Sequence, residues 1–200
     1  MSQIECELKM RLPGGQAARR LGTVLGVPLA TLEQVNLYLE TTDGQVASGR
    51  SMVRLRREEG RWTLTYKRGL QVQAGYFEAR EVEALLGASP EAEWSEADLP
   101  GLESLAPLRA LRADGVLGEL SVSGEVYNLR ARYRLSNGDI LELDRTRFPG
   151  GREDWEVEVE TRRPEEVRAL LTDLFDRAGV ALEEQRQTKY ERFLEAISPS

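Results

Sequence analysis

The sequence predicts an α+β fold built on an antiparallel sheet of about eight strands. Apolar and polar residues alternate with period two in eight separate stretches. Hairpin signals join most of these stretches, so neighbours run antiparallel. Helical segments follow the first strand, fall in mid-chain and close the sequence.

In residues 4–10, Ile4, Cys6, Leu8 and Met10 share one face, and Glu5, Glu7 and Lys9 the other. A Pro-Gly-Gly turn at 13–15 leads into a helix ending near Leu25. Residues 32–40 set Val35, Leu37 and Leu39 against Gln34, Asn36 and Tyr38. Tyr38 shares the polar face but reads as a core residue with a satisfied hydroxyl. After the Thr-Asp-Gly turn at 42–44, residues 51–57 oppose Val53 and Leu55 to Arg54 and Arg56. Glu58-Glu59-Gly60 is a hairpin signal into 61–68, where Trp62, Leu64 and Tyr66 oppose Thr63, Thr65 and Lys67. Residues 75–83 form a weaker strand with Glu81 and Glu83 in phase.

Residues 87–103, rich in Gly, Pro, Ser and acids, read as a loop before a short helix near 104–112. A long strand from about 119 to 135 carries Arg130, Arg132 and Arg134 in phase. Asn137-Gly138 is the strongest hairpin signal in the chain and leads into 139–145, where Leu141 and Leu143 oppose Glu142 and Asp144. Phe148-Pro149-Gly150-Gly151 turns the chain again. Residues 155–161 then put Trp155, Val157 and Val159 opposite Glu156, Glu158 and Glu160. Pro164 opens a helix that Gly179 stops, and a helical or mixed segment, 182–197, carries Lys189, Tyr190 and Phe193. One domain is expected over 1–200, with C-terminal helices of about 164–197 packed on the sheet.

Composition narrows the chemistry. The 200 residues carry 27 basic and 34 acidic side chains, a net charge of −7, one cysteine and no histidine. Ser-His-Asp and Cys-His nucleophiles, imidazole bases and His-ligated zinc are therefore excluded. Cys6 alone makes neither an internal disulfide nor a cysteine metal cluster. Carboxylates, Arg, Lys, Tyr or a hard cation held by oxygen must do the work. The net negative charge argues against general nucleic-acid binding. The N-terminus lacks the basic start and apolar stretch of a signal peptide. No run of about 18 apolar residues is present. A cytoplasmic chain with no membrane span is expected, of undetermined oligomeric state.

The polar faces are segregated by sign. Glu5 with Glu7, and Glu156, Glu158 with Glu160, are acidic; Arg54 with Arg56, and Arg130, Arg132 with Arg134, are basic. Like charges two residues apart on one face sit roughly 7 Å apart and repel unless opposite charge lies between them. A single such strand is usually a solvated face. Several of them would be mutually compensated if the sheet closed into a barrel with charges inward and helices covering the apolar outside. Basic side chains in such a lumen grip a polyanion, and clustered carboxylates hold a divalent cation that bridges to phosphate.

The element Glu5-Cys6-Glu7-Leu8-Lys9 is E-x-E-x-K. It precedes Gln34-Val35-Asn36-Leu37-Tyr38, Arg54-Leu55-Arg56, Lys67, Arg80-Glu81-Val82-Glu83, Arg130-Ala131-Arg132, Leu143-Asp144, Trp155-Glu156-Val157-Glu158 and Lys189. This order over 3–192 resembles the CYTH superfamily, the triphosphate tunnel metalloenzymes. The resemblance implies an eight-stranded antiparallel barrel, a tunnel with a charged lumen flanked by helices. It implies Mg²⁺ or Mn²⁺ held by Glu5, Glu7, Asp144, Glu156 and Glu158. Lys9, Arg54, Arg56, Lys67, Arg130, Arg132 and Lys189 would bind the phosphates of a small-molecule triphosphate. Lys9, Arg56, Glu81 and Asp144 would serve catalysis, with Glu81 and Asp144 supporting a water or a second cation. Arg134 and Glu83 are in phase with these and compete for the same roles. Trp155 reads as outward packing.

The expected activity is metal-dependent hydrolysis of inorganic triphosphate or of an organic one such as thiamine triphosphate. The alternatives are a class IV adenylyl cyclase and a non-catalytic polyphosphate- or nucleotide-binding module. Substrate choice would fall to the tunnel mouth, in loops 41–50 and 87–103. The three lysines, against 24 arginines (27 less 3), all fall at expected phosphate-binding positions.

Overall fold

A computed structural model describes residues 2–86, 94 and 96–198. The strands are β1 (Ser2–Leu12), β2 (Ala30–Thr41), β3 (Ser51–Glu58), β4 (Arg61–Gln73), β5 (Tyr76–Leu86), β6 (Leu120–Arg134), β7 (Ile140–Arg147), β8 (Glu153–Glu160) and the two-residue β9 (Glu183–Glu184). The helices are α1 (Gly15–Leu25), α2 (Gln45–Ser48), α3 (Ala106–Ala113), α4 (Pro164–Ala178) and α5 (Lys189–Ile197). The first eight strands form a closed antiparallel barrel in the order β5-β4-β3-β2-β6-β7-β8-β1. Closure is made by β1, whose residues 2–8 pair with β5 while residues 7–12 pair with β8. Beyond Leu8, β9 takes over the β5 edge of β1 at Met10 and Arg11. Among the described residues no helix is long and apolar enough to cross a membrane.

The alternation read from sequence separates a lumen face from an outer face. In β1, Leu8 and Met10 are fully buried outside, and Lys9 between them is buried inside. A strand covered on both faces loses the wet side of an ordinary antiparallel sheet. Two apolar layers clad the barrel. One packs Leu21 of α1 and Val167, Leu171 and Phe175 of α4 on Leu8, Met10, Leu141, Val157 and Val159. The other packs Leu108 and Leu111 of α3 on Val53, Leu55, Leu64, Tyr66 and Val82. Burying each of these leucines fully is worth about 1.5–3 kcal/mol.

Several boundaries differ from the sequence reading. The strand expected at 61–68 runs on to Gln73, and its partner reaches Leu86, because Ala74 and Gly75 form a tight turn with φ of 51° and 75°. Gly75 is required there twice. Its φ is left-handed, and a Cβ would meet the Lys9 carbonyl oxygen at 2.8 Å. The Glu59-Gly60 hairpin has φ of 48° and 74°, the primed geometry suited to strand twist. Of the loop expected at 87–103, residues 87–93 and 95 lie outside the described residues. Residues Glu96–Leu102 form a 3₁₀ helix whose Leu99 and Leu102 are buried against the barrel.

Helix α5 occupies a distinct place from α4. Its Tyr190 and Phe193 pack on Tyr38 and Val126, two lumen-facing residues, at the barrel end away from the β1 N-terminus. Phe193 fits because residue 124 is glycine, where a Cβ would lie 2.9 Å from the ring. Tyr190 donates to Glu40, whose carboxylate also accepts the Val46 and Ala47 amides at the start of α2. A capping box of Thr188 and Glu191 starts α5. Tyr38 is therefore both on the lumen face and in a core, with its ring 5.0 Å from Tyr190 and 4.8 Å from Phe193.

Candidate active site

The barrel encloses a cavity of about 1240 Å³. The expected catalytic, phosphate-binding and metal-holding residues line it except Asp144 and Glu156, which share the inward face but are fully buried beneath Lys189. The in-phase alternatives separate by depth. Arg130 and Glu81 are buried, Arg132 is half-buried near the mouth, and Arg134 and Glu83 are exposed.

Acids and bases are arranged unequally around the ring. Lys9 Nζ bridges Glu7 at 2.7 Å and Glu158 at 2.8 Å. Lys67 pairs with Glu5 and, at 2.9 Å, with Glu81. Arg130 lies against Asp144, Glu158 and Glu142. Arg132 reaches Glu142 at 3.1 Å. Lys189, the first residue of α5, places Nζ 2.6 Å from Asp144, 2.7 Å from Glu156 and 2.9 Å from Glu158. A neutral ladder crosses the lumen floor: Asn128 donates to Gln34 at 2.9 Å, and Thr146 donates to Asn128 at 2.7 Å.

Arg54 and Arg56 stand apart. Neither forms an ion pair among the described residues, and the buried Arg54 Nε has no hydrogen-bond partner there. Arg56 Nε donates to Asn36 at 2.9 Å. Burial, then the neighbouring Arg54 and Arg130, push the Arg56 guanidinium down to about 10. These two arginines lie on β3, four strands from β8 in either direction, so they face the carboxylates across the lumen.

Asp144, Glu156 and Glu158 are buried and present oxygens within 4.8 Å of one another. This all-oxygen set fits a hard divalent cation. Glu5 and Glu7 lie outside that group; Lys9 ties Glu7 to it, whereas Glu5 shares Lys67 with Glu81. Burial opposes ionisation of Asp144, but Arg130 and Lys189 outweigh it and hold the carboxyl at about 2. Burial likewise opposes Glu158, which Lys189, Lys9 and Arg130 keep well below the usual carboxylate range. Glu5 behaves oppositely. Burial, then Glu7 and Glu81, raise it to about 7 against the pull of Lys67.

A carboxyl whose folded pKa exceeds its unfolded value stabilises the fold below the unfolded value of 4.5, and that contribution disappears as pH rises through about 7. We predict that the melting temperature falls between pH 5 and pH 8, with Glu5 contributing on the order of 3 kcal/mol. Glu5→Gln should flatten the fall. Parallel melts of both proteins decide it, and an unchanged pH slope in the variant refutes the assignment.

Sequence reasoning passed over Arg192, Glu142 and Gln185. Arg192 is 3% exposed, and its Nη2 lies 2.7 Å from both oxygens of Glu156. Gln185 donates to the same carboxylate at 3.2 Å. The three-residue offset of Arg192 from Lys189 places both cations on one helix face, a spacing visible in the sequence. Glu142 was equally accessible as the in-phase neighbour of Asp144.

A model of the CYTH domain matches residues 3–194 of the chain. The chain belongs to the CYTH family. Its structure is similar to that of HpAC1 from Hippeastrum, an adenylyl cyclase candidate with a dominant triphosphatase activity. The two are 30% identical over 96% of this chain and 95% of that one, with a TM-score of 0.84. It is also similar to the adenylate cyclase candidate bh2851 from Bacillus halodurans, at 27% identity, 96% and 98% coverage and a TM-score of 0.73. PH1012 from Pyrococcus horikoshii, at 22% identity, 97% and 99% coverage and a TM-score of 0.59, shares the fold. No curated protein sequence matches the chain. The CYTH barrel thus has its sign-segregated faces turned inward, and the closure that the charges called for is the closure observed.

Proposed function

We propose that this CYTH protein is a divalent-metal-dependent triphosphatase that releases orthophosphate by water attack inside the tunnel. The observation that carries the reading is the pair Arg54 and Arg56, enclosed in the lumen without carboxylate partners, opposite a buried carboxylate cluster. A guanidinium left in a low-dielectric lumen without an anion is unfavourable, and a phosphate chain supplies the missing partner with bidentate geometry. The triphosphatase activity of HpAC1 supports the same choice.

Asp144, Glu156 and Glu158 would hold Mg²⁺ or Mn²⁺, with Glu7 beside them. When bound, that ion neutralises charge on the phosphoryl oxygens as they react. Arg54 and Arg56 seat the chain of phosphates and oppose the charge that builds on its oxygens. Lys9 and Lys67, each already between two carboxylates, add donors along the β1 and β4 walls. Glu81, buried and ionised beside Lys67, can orient the attacking water. Glu5, at about 7, is matched to accept its proton near neutral pH, whereas Asp144, at about 2, acts as a fixed charge.

A panel of inorganic triphosphate, thiamine triphosphate and nucleoside triphosphates, each with Mg²⁺ or Mn²⁺, tests the reading. Orthophosphate plus a diphosphate is the expected product pair. Cyclic AMP plus pyrophosphate from ATP would assign a cyclase instead, and tight binding without turnover would assign a binding module.

A further inference from the structure

The carboxylates suited to a cation already have a cation among this chain's own side chains. Lys189 Nζ contacts Asp144, Glu156 and Glu158 at 2.6, 2.7 and 2.9 Å. An ammonium has three hydrogens and accepts nothing, so these contacts complete it. The same three residues form the cluster whose oxygens lie within 4.8 Å. A dication sharing those oxygens would stand within a few Å of Nζ, screened from solvent, where like charges repel strongly. One set of oxygens therefore serves two mutually exclusive cations.

The neighbouring bases differ from Lys189 in this respect. Lys9 and Arg130 also touch Glu158, but Lys9 keeps Glu7 and Arg130 keeps Glu142 when the cluster is taken. Lys189 forms ion pairs with members of the cluster and no others among the described residues. Its flexible four-carbon stem leaves the first position of α5, so the head can swing while Tyr190 and Phe193, packed on Tyr38, and Arg192, paired also with Asp154 outside the cluster, keep the helix seated. It lines the same cavity as Arg54 and Arg56, so a released ammonium meets whatever anion those arginines hold.

We propose that Lys189 is a built-in competitor for the divalent cation: it leaves the Asp144–Glu156–Glu158 cluster when a cation takes those oxygens, and then becomes a ligand for substrate phosphate. The first half rests on the metal site alone, and the second rests on the triphosphatase reading. Because the coupling is reciprocal, an anion that draws Lys189 into the lumen raises cation affinity, and the cation raises anion affinity.

The chain contains three lysines, which makes the test direct. Lysine labelled at Cε and Nζ gives three side-chain signals, with that of Lys189 assigned by its absence in Lys189→Arg. Titration of the full chain with Mg²⁺, without triphosphate, is expected to move the Lys189 signal toward that of a solvated lysine. In parallel, Lys189→Met should bind Mn²⁺ about tenfold or more tightly than the parent, read by electron paramagnetic resonance of free Mn²⁺. A Lys189 signal that stays put at saturating Mg²⁺ overturns the proposal. So does equal or weaker Mn²⁺ affinity in Lys189→Met, or no Mn²⁺ binding to either protein. If Lys189→Met does not fold, the lysine spectrum of the parent chain decides. Neither readout uses turnover, so a chain that binds cation but hydrolyses nothing refutes the triphosphatase reading and leaves the exchange standing.

Discussion

Arg54→Met is expected to lower kcat/KM for triphosphate hydrolysis about 100- to 1000-fold while leaving the melting temperature at or above that of the parent chain. The two halves of this result share one cause. Arg54 is 7% exposed and its Nε has no partner among the described residues, so the fold loses no hydrogen bond there when the guanidinium is removed. Methionine keeps the length of the side chain and can fill the same space. What is lost is a preformed donor aimed into the lumen, where a low dielectric magnifies its effect on a phosphoryl transition state. Arg56→Met should show the same loss of activity. Its effect on stability is a balance. Removing it relieves a guanidinium already depressed to about 10, and it also leaves Asn36 Oδ1 without its donor, a loss of about 1 kcal/mol. Steady-state kinetics and thermal melting on the same preparations check both. Parent-like kcat/KM in Arg54→Met would sink the seat assigned to these arginines. A large fall in its melting temperature would show that Arg54 serves the fold.

The contrast between these arginines and the rest of the lumen explains which parts of the site the sequence disclosed. Strand faces were legible because an i, i+2 repeat of like charge has few stable placements, and closure with charges inward is one of them. That logic placed Glu5, Glu7, Arg54, Arg56, Glu156 and Glu158 on the inner wall. Pairing was not legible. Lys9 meets Glu158, 149 residues away, and Lys67 meets Glu5, 62 residues away. Such contacts follow from barrel order and register, which no local pattern encodes. The 3₁₀ turn at 96–102 was hidden for a different reason. Its Leu99 and Leu102 lie in a stretch rich in Pro, Gly and acids, and composition outweighed two isolated apolar residues. Depth along the strand was also out of reach. Arg130, Arg132 and Arg134 are equivalent by phase, and they differ only in distance from the mouth.

Helix α5 is the part of the site that local patterning describes least. An amphipathic segment reads the same whether its apolar face lies on the outside of a barrel or across its end. What distinguishes the two is charge on the buried side, and here that charge is Arg192. Arg192→Ala is expected to destabilise the protein by about 3–5 kcal/mol, a fall of roughly 10 °C or more in melting temperature for a chain of this size. The guanidinium contacts both oxygens of Glu156 at 2.7 Å, reaches Asp154 at 3.2 Å and lies over the Phe148 ring at 5.7 Å. Glu156 would keep Lys189 and Gln185 but lose its bidentate partner, leaving a buried carboxylate short of compensation. Because Arg192 follows Lys189 by three residues, loosening this end of α5 also loosens the ammonium that Lys189 brings to the cluster. Arg192→Lys should recover part of the stability, since it restores the charge without the planar fork. A melt of Arg192→Ala within about 1 kcal/mol of the parent would mean that Phe193 in the Gly124 recess and the Tyr190–Glu40 bond seat the helix unaided. In that case Lys189 would owe its position to apolar packing, and the Glu156–Arg192 pair would be a consequence of the seat.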